Sequence, residues 1–196
     1  MATRGASAAT VAYTPSQRAS DATAMVATYE RAVLAGRDAY VALFDFEWVG
    51  AYERLLQRYD LYRGDWLGES EDARRDAPPE PLSAERERTN VTRLFDAMGA
   101  PIVGTGHCRA TAARGEYVRR LATFEPLPAD DRARWQPLRS RILGVLACGG
   151  LVVMRCDGGR DRIGIVFARL PCRNGATPPA APVRVITVYV DTDAPP

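Results

Sequence analysis

Apolar residues fall into two successive spacings along this chain, helical first and strand-like afterwards, and that order limits the folds open to it. Met25, Val26, Tyr29, Ala32 and Val33 recur at the 3.6-residue spacing, with Ser20 as a candidate N-cap and Gly36 as a stop. Tyr40, Val41, Phe44, Trp48, Tyr52, Leu55, Leu56 and Tyr59 keep the same beat after Arg37 and Asp38, which predicts a second helix with a break around Gly50. A third helix is expected from the Ser83 cap through Val91, Leu94, Phe95 and Met98, ended by Gly99 and Pro101.

After Pro101 the texture changes to short apolar runs broken by Gly, Pro and Asn. Residues 102–108 and 117–124 are strand candidates, and residues 129–134, with Asp130 and Asp131 leading, suit a short helical turn. Residues 144–156, 162–170 and 183–191 are rich in Val and Ile, and the first two flank the turn-forming stretch Asp157-Gly158-Gly159-Arg160-Asp161. These three strands in succession predict an antiparallel meander. The fold class expected is therefore α+β, with N-terminal helices packed on one face of a curved antiparallel sheet.

At 196 residues, 46% hydrophobic and 26% charged, the chain suits one core. We expect a flexible lead over residues 1–19 and a single α+β domain over 20–192 with an exposed loop at 64–82. All 26 basic residues are Arg, which excludes lysine Schiff-base chemistry and otherwise fits the codon usage of a GC-rich bacterial genome. Against 24 acids they leave a net charge of +2, with the arginines scattered among carboxylates, so no nucleic-acid partner is expected. The most apolar stretch, 142–154, is too short and too glycine-bearing to span a membrane, and residues 1–20 lack the apolar run of a secretory signal. These features point to a cytoplasmic protein, or to an exported one whose signal has been removed.

The helical stretch MVATYERAVLAGRDAYVALFDF, residues 25–46, resembles the opening of NTF2-like (SnoaL-like) proteins, where one helix ends at a glycine and the next begins with an A-x-x-x-L-F-like run. The closing segments DRIGIVFARL and VRVITVYVD look like the last two long strands of that family, whereas residues 52–141 depart from it in length and content. The resemblance implies a cone-shaped fold in which a bent sheet wraps around helices and leaves an apolar pocket. It implies either a non-catalytic module binding a small apolar molecule or a protein, or a small isomerase, dehydratase or cyclase. Apart from the resemblance, a sheet face that helices leave bare must meet either water or a partner, which allows a homodimer through it.

His107 is the only histidine, so a multi-histidine metal site is excluded and any proton transfer near neutral pH falls to it. Some dehydratase-type members of the resembled family pair such a histidine with an Asp from the early helices, and Asp45, beside Glu47, stands in the comparable place. A carboxylate there would fix the imidazole tautomer and raise its basicity. A surface or packed role is the alternative for each. Tyr40, Phe44, Trp48 and Tyr52, from an aromatic set that also holds Phe46, Tyr59 and Trp66, would line a ligand pocket or simply pack the helices.

The cysteines at 108, 148, 156 and 172 lack C-x-x-C spacing, so no metal is expected, and no cofactor motif is present. Folding the 157–161 hairpin sets position 172 about opposite 146–148, which makes Cys148 and Cys172 either a disulfide or two small buried thiols. Gly149-Gly150 reads as a bulge.

Overall fold

A computed structural model describes residues 9–63, 83–103, 108–112, 129–156 and 162–191. Its first long helix, α1 (Pro15–Ala35), begins before Ser20. Thr14 is the N-cap: its hydroxyl accepts from the Gln17 N–H at 3.3 Å, and the Gln17 side chain accepts from the Thr14 N–H at 2.8 Å. This reciprocal capping box is reinforced by Pro15 at the first helical position, where no donor is needed. Residues 15–19, placed by the sequence in a flexible lead, are thus helical, and β1 (Val11–Ala12) precedes them. Gly36, at φ 105°, ends α1 in a conformation that L side chains rarely adopt.

The second helical run breaks earlier than expected. α2 (Arg37–Val41) is separated from α3 (Phe46–Arg63) at residues 42–45, and Gly50 lies buried inside α3. The break serves the sheet: the Leu43 carbonyl accepts from Val185 N–H at 2.8 Å and the Asp45 N–H donates to Val185 O at 3.0 Å. Ser83 caps α4 (Ala84–Val103), its hydroxyl accepting from the Arg86 N–H at 3.2 Å. This helix runs past Gly99 and Pro101 to Val103, although Pro101 has no N–H to give to the helical ladder. Ile102 and Val103 are accordingly helical, and β2 (Cys108–Ala112) starts where the expected strand would have ended.

α5 (Ala129–Leu146) is a full helix where the sequence suggested one turn followed by a strand from Gly144. β3 (Gly149–Cys156), β4 (Arg162–Arg169) and β6 (Val183–Asp191) form the expected meander, and β2 extends it into a four-stranded antiparallel sheet ordered β2-β3-β4-β6. The ladder between β3 and β4 is continuous from Gly149 opposite Ala168, so Gly149-Gly150 is not a bulge; the register shift falls between Val166 and Phe167, against β6. A Cβ on Gly149 would sit 1.9 Å from the Phe167 carbonyl oxygen, so this position needs glycine for close strand approach. In the 171–182 loop, Asn174 and Gly175 take φ of 50° and 75° as a two-residue turn, which carries β5 (Ala176–Thr177) onto β1.

Both faces of the sheet are covered. Ile163, Ile165 and Phe167 of β4 pack with Val152 and Val185 against Met25, Val26, Tyr29 and Val33 of α1, Tyr40 of α2 and Val91 of α4. Val166, Ala168 and Ile186 face the other way, against Tyr52 and Leu55 of α3 and Trp135, Ile142, Val145 and Leu146 of α5. The alternation along β4 is what a strand buried on two faces requires. The fold is α+β, but helices lie on both faces of the sheet and not on one. The face that a homodimer was expected to cover holds α5 instead.

Candidate functional site

The α2–α3 junction gathers most of the residues that the sequence singles out. Asp45 is half-buried there, immediately before α3. Its Oδ1 accepts from the Trp48 N–H at 3.3 Å, and its backbone carbonyl accepts from the Val49 N–H at 2.9 Å. Asp45 is thus the N-cap of α3, where a carboxylate satisfies a free helix N–H and meets the positive end of the helix dipole. Glu47, in the first turn of the helix, is exposed and ion-paired with Arg141 of α5, whose guanidinium also lies 4.6 Å over the Trp48 ring. His107, the partner proposed for Asp45, lies outside the described residues.

The four candidate pocket residues divide between the two sides of the sheet. Tyr40 and Phe44 are buried with ring centroids 5.1 Å apart, and Tyr29 at 5.5 Å and Phe95 at 5.1 Å complete an aromatic group around Tyr40. Tyr52 is fully buried on the α5 side, and Trp48 packs against the same cluster. Burial pushes the phenols of Tyr29 and Tyr40 above the ordinary tyrosine range. They stay neutral at any physiological pH.

Cys148 and Cys172 form a disulfide with Cα atoms 6.0 Å apart. Cys148 itself lies opposite Arg169, whose N–H donates to its carbonyl at 2.8 Å, and the turn after Leu170 brings residue 172 back to it. Among the described residues no group of three or more His, Cys, Asp or Glu side chains could hold a metal ion. No helix among them is long and apolar enough to cross a membrane.

A second polar constellation has no counterpart in the sequence analysis. Asp21 of α1 is buried, and Arg169 at the end of β4 forks onto it, with Nε donating to Oδ2 at 3.0 Å and Nη2 donating to Oδ1. Tyr13 donates its hydroxyl to Oδ2 at 2.8 Å, while Arg169 Nη1 reaches the Ala181 carbonyl at 2.6 Å. Burial first, then this bond to Asp21, drives the Tyr13 phenol well above its usual range. The carboxylate is neutralised by the guanidinium and its acceptors are filled, so the group clasps four chain segments together instead of presenting a reactive charge. Partners 148 residues apart leave no local signal; the Thr14-Pro15-Ser16-Gln17 box would have shown that α1 starts at Pro15 instead of after a cap at Ser20.

No family model matches the chain, and neither a search of curated proteins nor one of solved structures finds a match.

Proposed function

We propose that this chain is a non-catalytic binding module of NTF2-like type, taking a small apolar molecule or a protein partner. One observation carries the reading: the acidic half of the rival proton-transfer pair, Asp45, is engaged as the N-cap of α3 and anchored to β6 through its backbone. The neighbouring Glu47 is held by Arg141, and the aromatic residues Tyr40, Phe44 and Tyr52 serve the two cores. Among the described residues, each one that would serve chemistry already has a structural task. The Cys148–Cys172 disulfide supports the exported alternative over the cytoplasmic one, because such bonds persist in oxidising compartments.

Carbon-acid exchange tests the non-catalytic reading. The chain is incubated in deuterium oxide with small apolar ketones and hydroxyketones, beside Asp45→Asn and His107→Ala variants. The reading expects exchange at the buffer rate for all three proteins. Exchange by the wild type that both variants lose would overturn it in favour of the isomerase, dehydratase or cyclase alternative. The dye 8-anilinonaphthalene-1-sulfonate then distinguishes the occupants: enhanced fluorescence with the native protein marks an apolar small-molecule site, and its absence leaves the protein partner.

A further inference from the structure

The positions of the four cysteines fall two by two at the two ends of one strand. Cys148 immediately precedes β3 and is bonded to Cys172. Cys156 is the last residue of β3, and the antiparallel register sets it directly opposite Cys108, the first residue of β2. Directly opposed residues of an antiparallel pair have Cα atoms about 4.5–5.5 Å apart. Disulfides are found at Cα separations of about 4.4–6.8 Å. The backbone therefore presents the second pair at bonding distance.

We propose that Cys108 and Cys156 form a second, cross-strand disulfide, so that β3 is tied covalently at both ends and the edge strand β2 is locked in register. The position of β2 gives the bond its purpose. Among the described residues it is an edge strand, paired with β3, and the chain between residues 108 and 156 includes all of α5, which covers one sheet face. A bond at the mouth of that excursion fixes where α5 is delivered. Formation is a two-electron oxidation: each thiol gives up its proton, one S–S bond forms, and the electrons reduce the disulfide of a thiol–disulfide oxidoreductase to a dithiol. That oxidoreductase is the class of partner the chain would meet while folding. The inference rests on the oxidising-compartment reading above, with the Cys148–Cys172 pair as its internal control.

The sequence makes the test direct, since cleavage after arginine places each cysteine on its own peptide: 94–109, 142–155, 156–160 and 170–173. The full chain is refolded in a glutathione redox buffer, blocked with N-ethylmaleimide in denaturant without reductant, digested and weighed. The proposal expects peptide 94–109 joined to 156–160, peptide 142–155 joined to 170–173, and no maleimide on any cysteine. Maleimide on Cys108 and Cys156 beside an intact second pair overturns the proposal alone. Maleimide on all four overturns the compartment reading with it, and crossed pairs overturn the register. In a Cys148→Ala/Cys172→Ala variant the 94–109 to 156–160 link should still form, and intermolecular links through Cys108 would count against the proposal.

Discussion

Removing the Asp21 carboxylate is the perturbation whose cost follows most directly from the geometry. Its side chain is 9% exposed and that of Arg169 is 24% exposed, so Asp21→Ala leaves a largely buried guanidinium with, among the described residues, the Ala181 carbonyl as its remaining partner. Breaking a buried pair in this way costs about 3–5 kcal/mol, and the partial exposure of Arg169 lets water recover some of that, which places the loss near 3. Tyr13 also loses its acceptor, for about 1 kcal/mol more. The sum is close to 4 kcal/mol, or a drop in Tm of roughly 10 °C for a chain of this length. Urea unfolding followed by circular dichroism measures it. Asp21→Leu with Arg169→Met removes both charges and should return to within about 1 kcal/mol of wild type, since an apolar pair of similar size replaces them. A loss under about 1 kcal/mol for Asp21→Ala, or a double variant as costly as the two single changes added, would refute the reasoning.

Three further outcomes are expected. Tyr13, Tyr29 and Tyr40 have folded-state pKa values raised chiefly by burial, so above about pH 10 the unfolded chain releases protons that the folded one keeps. Stability should then fall by as much as about 4 kcal/mol per pH unit, about 1.4 for each phenol. Tyrosinate absorbance read beside circular dichroism checks this, and all eight tyrosines ionising near pH 10 in a folded protein would contradict it. Gly149→Ala should cost about 1–3 kcal/mol in chemical unfolding because its Cβ meets backbone, whereas Gly150→Ala, whose nearest obstacle is the Phe167 ring edge at 3.4 Å, should stay within about 1. Reducing Cys148–Cys172, 24 residues apart in sequence, should lower stability by about 3.5 kcal/mol on the loop-entropy relation, measured by comparing wild type with Cys148→Ala/Cys172→Ala.

How far the fold was legible depends on how local its causes are. The meander could be read because its strands are rich in β-branched residues and joined by turn-forming stretches. Its last strand, β6, starts and ends where the Val183–Asp191 run does. α5 escaped because Pro137 interrupts it and because few apolar residues, Trp135, Ile142, Val145 and Leu146, anchor a mostly polar, Arg-bearing helix. That omission misassigned a whole sheet face, leaving it bare for a dimer when it is occupied. The break between α2 and α3 escaped for another reason: it is dictated by hydrogen bonds to Val185, far along the chain, and Gly50 offered a nearer and misleading signal. Of the candidate site, Asp45 was found by its residue type within an apolar run, but its task depends on where α3 begins. The bond between Cys148 and Cys172 was among the open readings of the hairpin geometry, whereas the Asp21–Arg169 clasp needs the folded chain to be seen.

The account turns on Asp45 being a structural cap, and the stability of two variants measures that directly. Asn caps a helix about as well as Asp, while Ala loses about 1 kcal/mol at such a site. Chemical unfolding should therefore place Asp45→Asn beside the wild type and Asp45→Ala about 1 kcal/mol below both. A neutral Asp45→Ala, or one that stabilises the protein as removal of a catalytic charge can, would contradict the account.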